Sequence, residues 1–577
     1  MKLSDIVFDF LANKGIDTVF TVSGGGCMHL TDSLGNNKKL KYICNHHEQA
    51  CAISAEAYFR TKNKPGCILV TTGPGGTNAL TGVLCSYQDS IPMIVISGQV
   101  PTNQLSKNTG CRQIGQQEFN IVDTVKHMTK YSVLILNKNN ILYELEKAYD
   151  IAISGRPGPV WIDIPLDIQN SNIDIKDLKT FLKKDRYSLW SKIINKIKLN
   201  KLKKLISQSK KPIIVVGNGI RSSNTTKEFY RFVHQLNIPV ITGPHSSVDI
   251  INNDYPLYAG RFGLLGQRSS NYIIQDSDLV ISLGSRLNPK MIGYDSSRFA
   301  PNAKKIIIDV DKSEIKKLNF NNKFVWNIDL KKFFTIVDNQ LQTSDISEWQ
   351  EKIKKDRSNE KLILDKHYDL QGYTSSYVFS KKLENYLNNE SIIVTSDGTA
   401  HVVPLKTISL KGNQRLFSNE GTAPMGYGLP ASIGAYYGSN SSIICIEGDG
   451  SIMMNLQELE TIKYHNLPIK IFILNNNGYL SIRLTQNSFF SGNLHASDPS
   501  SGVSIPSFKK IADAFDYKYF AIKDNSEIND TLSQVFLDTT RCIVEVFTDP
   551  NESHEPKVKA KGIDKNGKII PGELTNI

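Results

Sequence analysis

The 577 residues are 40% hydrophobic and 21% charged, with 39 Gly and 22 Pro, a globular composition that excludes disordered, collagen-like and coiled-coil classes and is long enough for several cores. The formal net charge is +12, but lysine recurs along the whole length with asparagine and isoleucine, which reads as compositional bias and argues against a nucleic-acid partner. The eight cysteines form no CxxC pair and six fall within the first 111 residues in core-like segments, the pattern of buried free thiols in a reducing compartment.

Residues 1–20 carry Asp5 and Asp9 on an amphipathic helical pattern, unlike an export signal. No apolar run approaches the roughly 18 residues of a membrane span, so a cytoplasmic protein with no membrane partner is expected. The strand-like run 18–22 leads into Ser23-Gly24-Gly25-Gly26. Those glycines let backbone N–H groups approach a ligand or a developing oxyanion, or simply make a tight strand-to-helix turn. Next comes Asn45-His46-His47-Glu48-Gln49-Ala50, opening a helix on which Glu48 alone would be an ordinary surface acid.

Strand-like runs follow at 66–76, 92–100 and 159–165. A Lys-rich stretch, 175–212, then sets Ile193, Ile194, Ile197, Leu202, Leu205 and Ile206 near one helical face. It reads as a packed helix with a solvated lysine face, the weaker alternative being a membrane-surface helix. Further runs stand at 211–219, 278–286 and 304–311, the first ending in Gly217-Asn218-Gly219, a dinucleotide hint that lacks the third glycine. After a second polar stretch, 343–373, runs recur at 391–398, 441–450, 468–478 and 541–547. Continuous rather than alternating runs suit strands covered on both faces. The fold class is therefore α/β, with three doubly wound parallel-sheet domains in series, at 1–175, 190–342 and 370–550, and a C-terminal tail at 551–577.

The most informative segment is Glu447-Gly448-Asp449-Gly450 closing one run and Asn475-Asn476-Asn477-Gly478-Tyr479 closing the next, with 24 residues (451–474) between them. The intervening stretch 455–468 has helical periodicity, so this is a βαβ unit. It puts Asp449 and Asn476 at the C-terminal ends of parallel strands, where open α/β sheets bind ligands. A carboxylate and a neutral oxygen suit Mg²⁺ that also holds phosphate oxygens. Gly450 and Ser451 open the next helix, whose free N–H groups favour phosphate.

This pair of turns resembles the diphosphate-binding motif of thiamine diphosphate (ThDP) enzymes. The first block is similar to their pyrimidine-binding half, especially in acetolactate (acetohydroxyacid) synthases, through 45–50, Gly73-Pro74-Gly75-Gly76-Thr77-Asn78, 90–93 and 97–100. With 155–170, 421–435 and the middle runs, the resemblance covers nearly the whole chain.

The resemblance implies ThDP and Mg²⁺ as cofactors, with Asp449, Asn476 and the Gly478 carbonyl on the metal. Gly448, Gly450, Ser451 and Tyr479 would border the diphosphate, as would Asp397, Gly398 and His401. Pro74 and Asn78 belong to the pyrimidine half, where Ala423 would offer its carbonyl to the aminopyrimidine. Met425 would support the bent cofactor, plain core being its other reading. Glu48 would be the acid against the pyrimidine ring, with Gly25, Gly26 and Gln117 also catalytic. FAD stays open for the middle block, where Arg286, Asp309 and Asp311 stand as in the synthases but the Ser285–Lys290 loop departs from theirs.

The implied reaction is decarboxylation of a 2-keto acid, pyruvate as donor, with carboligation to a second carbonyl. A simple decarboxylase is the alternative. The tryptophan by which the synthases choose their acceptor is missing from 479–492, so the acceptor stays open. His47, Arg483 and Gln486 are the substrate candidates, and the last two would suit a larger or anionic acceptor such as a keto-sugar nucleotide or, equally, sit on an ordinary surface. A homodimer or homotetramer follows from the family, with Glu48 of one subunit meeting Asp449 of the other. A catalytically inactive ThDP-binding regulatory protein is the reading from another class, and the intact Glu48 argues against it.

Overall fold

The fold is that of a computed structural model, which describes residues 1–182, 189–245, 247–563, 569–570 and 572–577. The first block contains β1 (Thr18–Thr21), β2 (Lys41–Cys44), β3 (Gly66–Val70), β4 (Met93–Gln99), β5 (Tyr131–Leu134) and β6 (Val160–Pro165), in the order β2-β1-β3-β4-β6-β5. The second contains β7 (Pro212–Val216), β8 (Val240–Thr242), β9 (Tyr258–Arg261), β10 (Leu279–Leu283), β11 (Lys304–Asp309) and β12 (Lys323–Asn327), in the order β12-β11-β10-β7-β8-β9. The third contains β13 (Ile392–Thr395), β14 (Arg415–Phe417), β15 (Ile443–Gly448), β16 (Ile469–Asn475), β17 (Lys518–Ile522) and β18 (Cys542–Phe547), in the order β14-β13-β15-β16-β18-β17.

All three sheets are parallel. Central strands such as β3 and β4 are buried along their whole length, because helices cover both faces of such sheets. Counted within its own block, the first sheet runs 2-1-3-4-6-5, and the third repeats that order. The second runs 3-2-1-4-5-6, the dinucleotide-fold order. Each order has a switch point where the chain leaves adjacent strands in opposite directions, and a crevice opens at their C-terminal ends.

The first and third blocks share one core. Phe20, Ile53 and Tyr58 cluster with Ile433, Ile443 and Ile471. The contact is made by the helices Glu48–Lys62 and Gly428–Ser439. Their backbones approach so closely that a Cβ on Gly434 would lie 1.9 Å from the Ser54 carbonyl oxygen, and Ser54 Oγ donates to the Pro430 carbonyl at 2.8 Å.

The middle block has its own core, completed from outside its sheet. Trp349 and Ile353 of the helix Ser347–Ser358 join it, and so do Val558 and Leu574 of the tail. The polar stretch 343–373 is thus partly packed structure. The Lys-rich helix Leu189–Gln208 departs from its expected single packed face. Leu202 and Ile206 are buried, whereas Ile193, Ile194 and Ile197 are exposed, because only the C-terminal half lies on the central core. All eight cysteines are free, six buried and Cys44 and Cys111 exposed. No helix among the described residues is long and apolar enough to cross a membrane.

Candidate functional site

In the third block, β13, β15 and β16 end side by side, bringing Asp397, Asp449 and Asn476 to one crest. Asp449 is 1% exposed. One of its oxygens accepts the Gly450 N–H at 2.7 Å and the other the Gly478 N–H at 2.9 Å, so it ties the two turns together. Burial pushes its carboxyl up to about 6. A buried acid with a free lone pair on each oxygen, beside the buried Asn476 amide, is a hard-oxygen donor set that a divalent cation satisfies. Among the described residues no cluster of three or more His, Cys, Asp or Glu gathers that would hold a metal. Tyr479 packs on the first turn, its ring 2.4 Å from where a Gly450 Cβ would stand.

Arg483 and Gln486, candidates for an acceptor contact or for ordinary surface, bond within the chain, Arg483 to the turn and Gln486 to His495 and Ser497. Arg483 is buried and donates to the carbonyls of Asn476 (2.7 Å), Asn477 (3.2 Å), Ser497 (3.1 Å) and Pro550 (3.0 Å). Gln486 donates to the His495 carbonyl and accepts from Ser497 Oγ, both at 2.8 Å.

The loop of Ala423 and Met425 is gripped from several sides. Ala423 sits at φ +49°, a left-handed conformation that a non-glycine residue holds only against its surroundings. Just beyond Met425, the Gly426 N–H donates to Ser451 Oγ at 2.9 Å and its carbonyl accepts from Asn455 Nδ2 at 2.8 Å. The predicted diphosphate residue Ser451 therefore spends its hydroxyl on this loop and on Ser396 Oγ, 2.7 Å away. Glu447, fully buried and pushed up to about 7 by that burial, accepts the Gly428 N–H at 2.7 Å. From the first block, Glu56 accepts from Tyr427 Oη (2.7 Å) and Asn419 Nδ2 (3.2 Å), and Asp89 accepts the N–H of Glu420 (3.1 Å) and Gly421 (2.8 Å). Arg60 bridges the two acids.

Gly398 lies at φ +63° where β13 turns into its helix. His401, expected beside the diphosphate, packs on His245 of the middle block with ring centroids 4.5 Å apart, and burial pushes it down to about 3.

In the first block, Gly24 to Gly26 cross the threonines that follow β3. A Cβ on Gly26 would stand 1.9 Å from Thr72 Oγ1. The Gly26 N–H is spent on Thr71 Oγ1 at 3.2 Å, and its carbonyl accepts from Gln169 Nε2 at 2.8 Å. Of the two glycines proposed to offer N–H groups, Gly26 has its N–H committed to Thr71, and a Cβ at Gly25 would meet nothing within 4 Å.

Glu48 is buried at the start of its helix, accepting from Asn78 Nδ2 at 3.0 Å, with its other oxygen 3.5 Å from a notional Gly75 Cβ. Pro74 opens the short helix that ends at Asn78, so Glu48, Pro74 and Asn78 come together. Gln117, at φ +65°, lays its carbonyl over Gly73. His47 caps the Glu48 helix, its Nδ1 accepting the Gln49 N–H at 3.1 Å. The residues before it are held by Glu458 of the third block, which accepts from Asn45 Nδ2 at 2.8 Å and from the His46 N–H at 2.9 Å.

The middle block opens a cavity of about 640 Å³ at the switch point between β7 and β10, within the usual size of a ligand site. Gly217 to Gly219, Arg286 and Asp309 line it, with Arg60, Arg156, Arg221 and Arg415 around it. Burial pushes Asp309 up to about 6. Asp311, expected beside it, instead pairs with Arg156 at 3.1 Å and caps the next helix through the Ser313 N–H at 2.8 Å.

Sequence reasoning did not find Glu56, Asp89, Asn455 or Glu458, and it gave Glu447 no role of its own. The available signal was an acid interrupting an apolar helix, as Glu56 does within 50–59.

Three family models match the chain in order. The N-terminal TPP binding domain of thiamine pyrophosphate enzymes matches residues 1–125, their central domain 199–329, and their C-terminal TPP binding domain 397–546. The chain is 30% identical, over 96% of its length, to a probable acetolactate synthase large subunit of Methanococcus aeolicus, of which it covers 93%. It is 28% identical to the acetolactate synthase large subunit of Haemophilus influenzae, with 100% of both chains covered. Over 85% of its length it is 31% identical to a chloroplastic acetolactate synthase of Arabidopsis thaliana, covering 72% of that protein.

Proposed function

The chain belongs to the thiamine pyrophosphate enzyme family and is acetolactate synthase-like, and from that premise we propose that it decarboxylates a 2-keto acid, with pyruvate as donor, and joins the two-carbon fragment to a second carbonyl compound. The observation that carries this reading is Asp449, an acid buried between two strand-end turns with a lone pair left on each oxygen. Asp449, Asn476 and the Gly478 carbonyl would hold Mg²⁺, and through it the diphosphate of ThDP. Bound there, ThDP supplies the electron sink that lets the carboxylate leave as carbon dioxide.

The chain's own groups do the rest. Glu48, fixed on one side by Asn78, moves a proton at its free oxygen to and from the pyrimidine ring. The Ala423 carbonyl would orient that ring, Met425 would support the bound cofactor, and Gln117 and the Gly25 N–H would face the reacting carbonyl. Asp397 and Gly398 border the diphosphate. In the middle block we assign the cavity to FAD. A dinucleotide-fold switch point, a glycine turn and surrounding arginines are suitable for a dinucleotide and its diphosphate.

The active form in this reading is a homodimer or a pair of dimers in which Glu48 serves the Asp449 half of a second subunit. The apolar side chains left exposed in both halves support it, Met28 and Phe119 in the first block and Ile482, Phe489 and Phe490 in the third. A keto-sugar nucleotide acceptor is not favoured, because Arg483 is occupied by the turn it holds and Gln486 by His495 and Ser497.

The test is incubation with ThDP, Mg²⁺ and labelled pyruvate, with the products identified by mass spectrometry. Labelled carbon dioxide with acetolactate supports carboligation, acetaldehyde in its place supports a simple decarboxylase, and no release of carbon dioxide overturns the proposal. A flavin absorption spectrum in the purified protein checks FAD.

A further inference from the structure

The segment 449–461 links the Asp449 turn and the Met425 loop to the residues that precede the Glu48 helix. It begins with Asp449, passes Ser451 and Asn455, which grip Gly426 beside Met425, and then reaches Glu458. Glu458 is fully buried. One of its oxygens accepts the His46 N–H at 2.9 Å, and the other accepts both Asn45 Nδ2 and Thr461 Oγ1 at 2.8 Å.

These donors satisfy the carboxylate without a salt bridge, and hydrogen bonds to a charged acceptor are about twice as strong as neutral ones. Asn45 Oδ1 is buried with no partner, so the bond to Glu458 is what orients the Asn45 side chain. Only His47 separates this anchored pair from Glu48, and His47 is itself committed to capping the helix.

We propose that Glu458 is a positioning residue for Glu48: by anchoring Asn45 and His46 it fixes where the Glu48 helix begins, and so where the Glu48 carboxyl stands against Asn78. The proposal rests on the reading of Glu48 as the acid that activates ThDP. It adds that the third block shares in placing this acid, beside Asn78 and the Asn45 N–H bond to the Thr21 carbonyl of its own block.

The experiment has one arm without cofactor and one with it. In the apoprotein, amide hydrogen exchange of residues 45–49 is compared between wild type and Glu458→Gln, a near-isosteric change that turns one acceptor into a donor. The expected result is exchange about tenfold faster in that loop, with the helix Gly428–Ser439 unchanged. In protein loaded with ThDP and Mg²⁺, deuterium exchange at the thiazolium C2 is read for Glu458→Gln, Glu48→Gln and the double variant. Glu458→Gln slows exchange about tenfold in the wild-type background and adds nothing in the Glu48→Gln background, as expected of a residue that acts through another.

Equal slowing in both backgrounds, or unchanged protection of 45–49, overturns the proposal. Asn45→Ala removes the same bond from the other side and is read by the same two measurements if Glu458→Gln does not fold. Were Glu48→Gln itself to leave C2 exchange unchanged, the reading of Glu48 would fall, while loop protection in the apoprotein would still decide whether Glu458 anchors the loop.

Discussion

The first and third sheets share the order 2-1-3-4-6-5, yet their crests are chemical opposites. The first crest carries glycines and threonines, Gly24 to Gly26 beside Thr71 and Thr72, and Glu48 arrives on a helix beyond β2. At the third crest, Asp397, Glu447 and Asp449 are all pushed up from ordinary carboxyl values by burial. One topology therefore makes two crevices, one neutral and shaped by close backbone contact, the other rich in acids that a cation would satisfy. The strand order fixes where a ligand can lie, and the residues at the strand ends set the chemistry it would meet there.

The sharpest way to break this contrast is at its anionic side. Asp449→Ala should weaken Mg²⁺-dependent ThDP binding by at least about a hundredfold, read by titration calorimetry, whereas Glu48→Gln should leave that binding nearly intact. Turnover of Glu48→Gln should nevertheless fall by about 10²–10⁴, measured as release of labelled carbon dioxide. Mixing Glu48→Gln chains with Asp449→Ala chains should restore about a quarter of wild-type activity if each site draws one half from each subunit. No restoration would place both halves in one chain.

A smaller effect tests the shared core. Gly434→Val drives a side chain into the Ser54 carbonyl and should cost about 1–3 kcal/mol, read by thermal unfolding.

The smallest is a pH effect in the first block. Asp163, buried under Ser97 and Gln99, is pushed up from 3.8 to about 7 by its burial. Its folded state therefore holds the proton more tightly than the unfolded chain does. Its contribution to stability is full below about pH 4 and is lost as pH rises towards about 7. Asp163→Asn should flatten the pH dependence of unfolding across that window.

Much of this architecture was legible because fully covered strands leave unbroken apolar runs. β3, β4, β15, β16 and β18 all stood out. The edges did not. β2 has one buried residue in four, β5 is half-exposed throughout, and β14 is three residues long, so none leaves a run to read. At the site, the paired turns of Asp449 and Asn476 were legible because their spacing is local. Glu458 and Glu56 were not, because their partners lie far away in the chain and a buried acid looks like a surface acid until its donors are known. Arg483 misled for the converse reason: a cation next to a binding turn suggests a ligand, and nothing in the sequence reveals that backbone carbonyls already surround it.

The tail has a consequence for the order in which the molecule is assembled. Val558 and Leu574 belong to the middle core, and Lys406 donates to the Pro556 carbonyl at 2.8 Å as the tail passes the third block. Although its six strands have all been translated before the third block begins, the middle unit gains its closing plugs only after that block has emerged. During synthesis, maturation of the central unit therefore waits on its downstream neighbour.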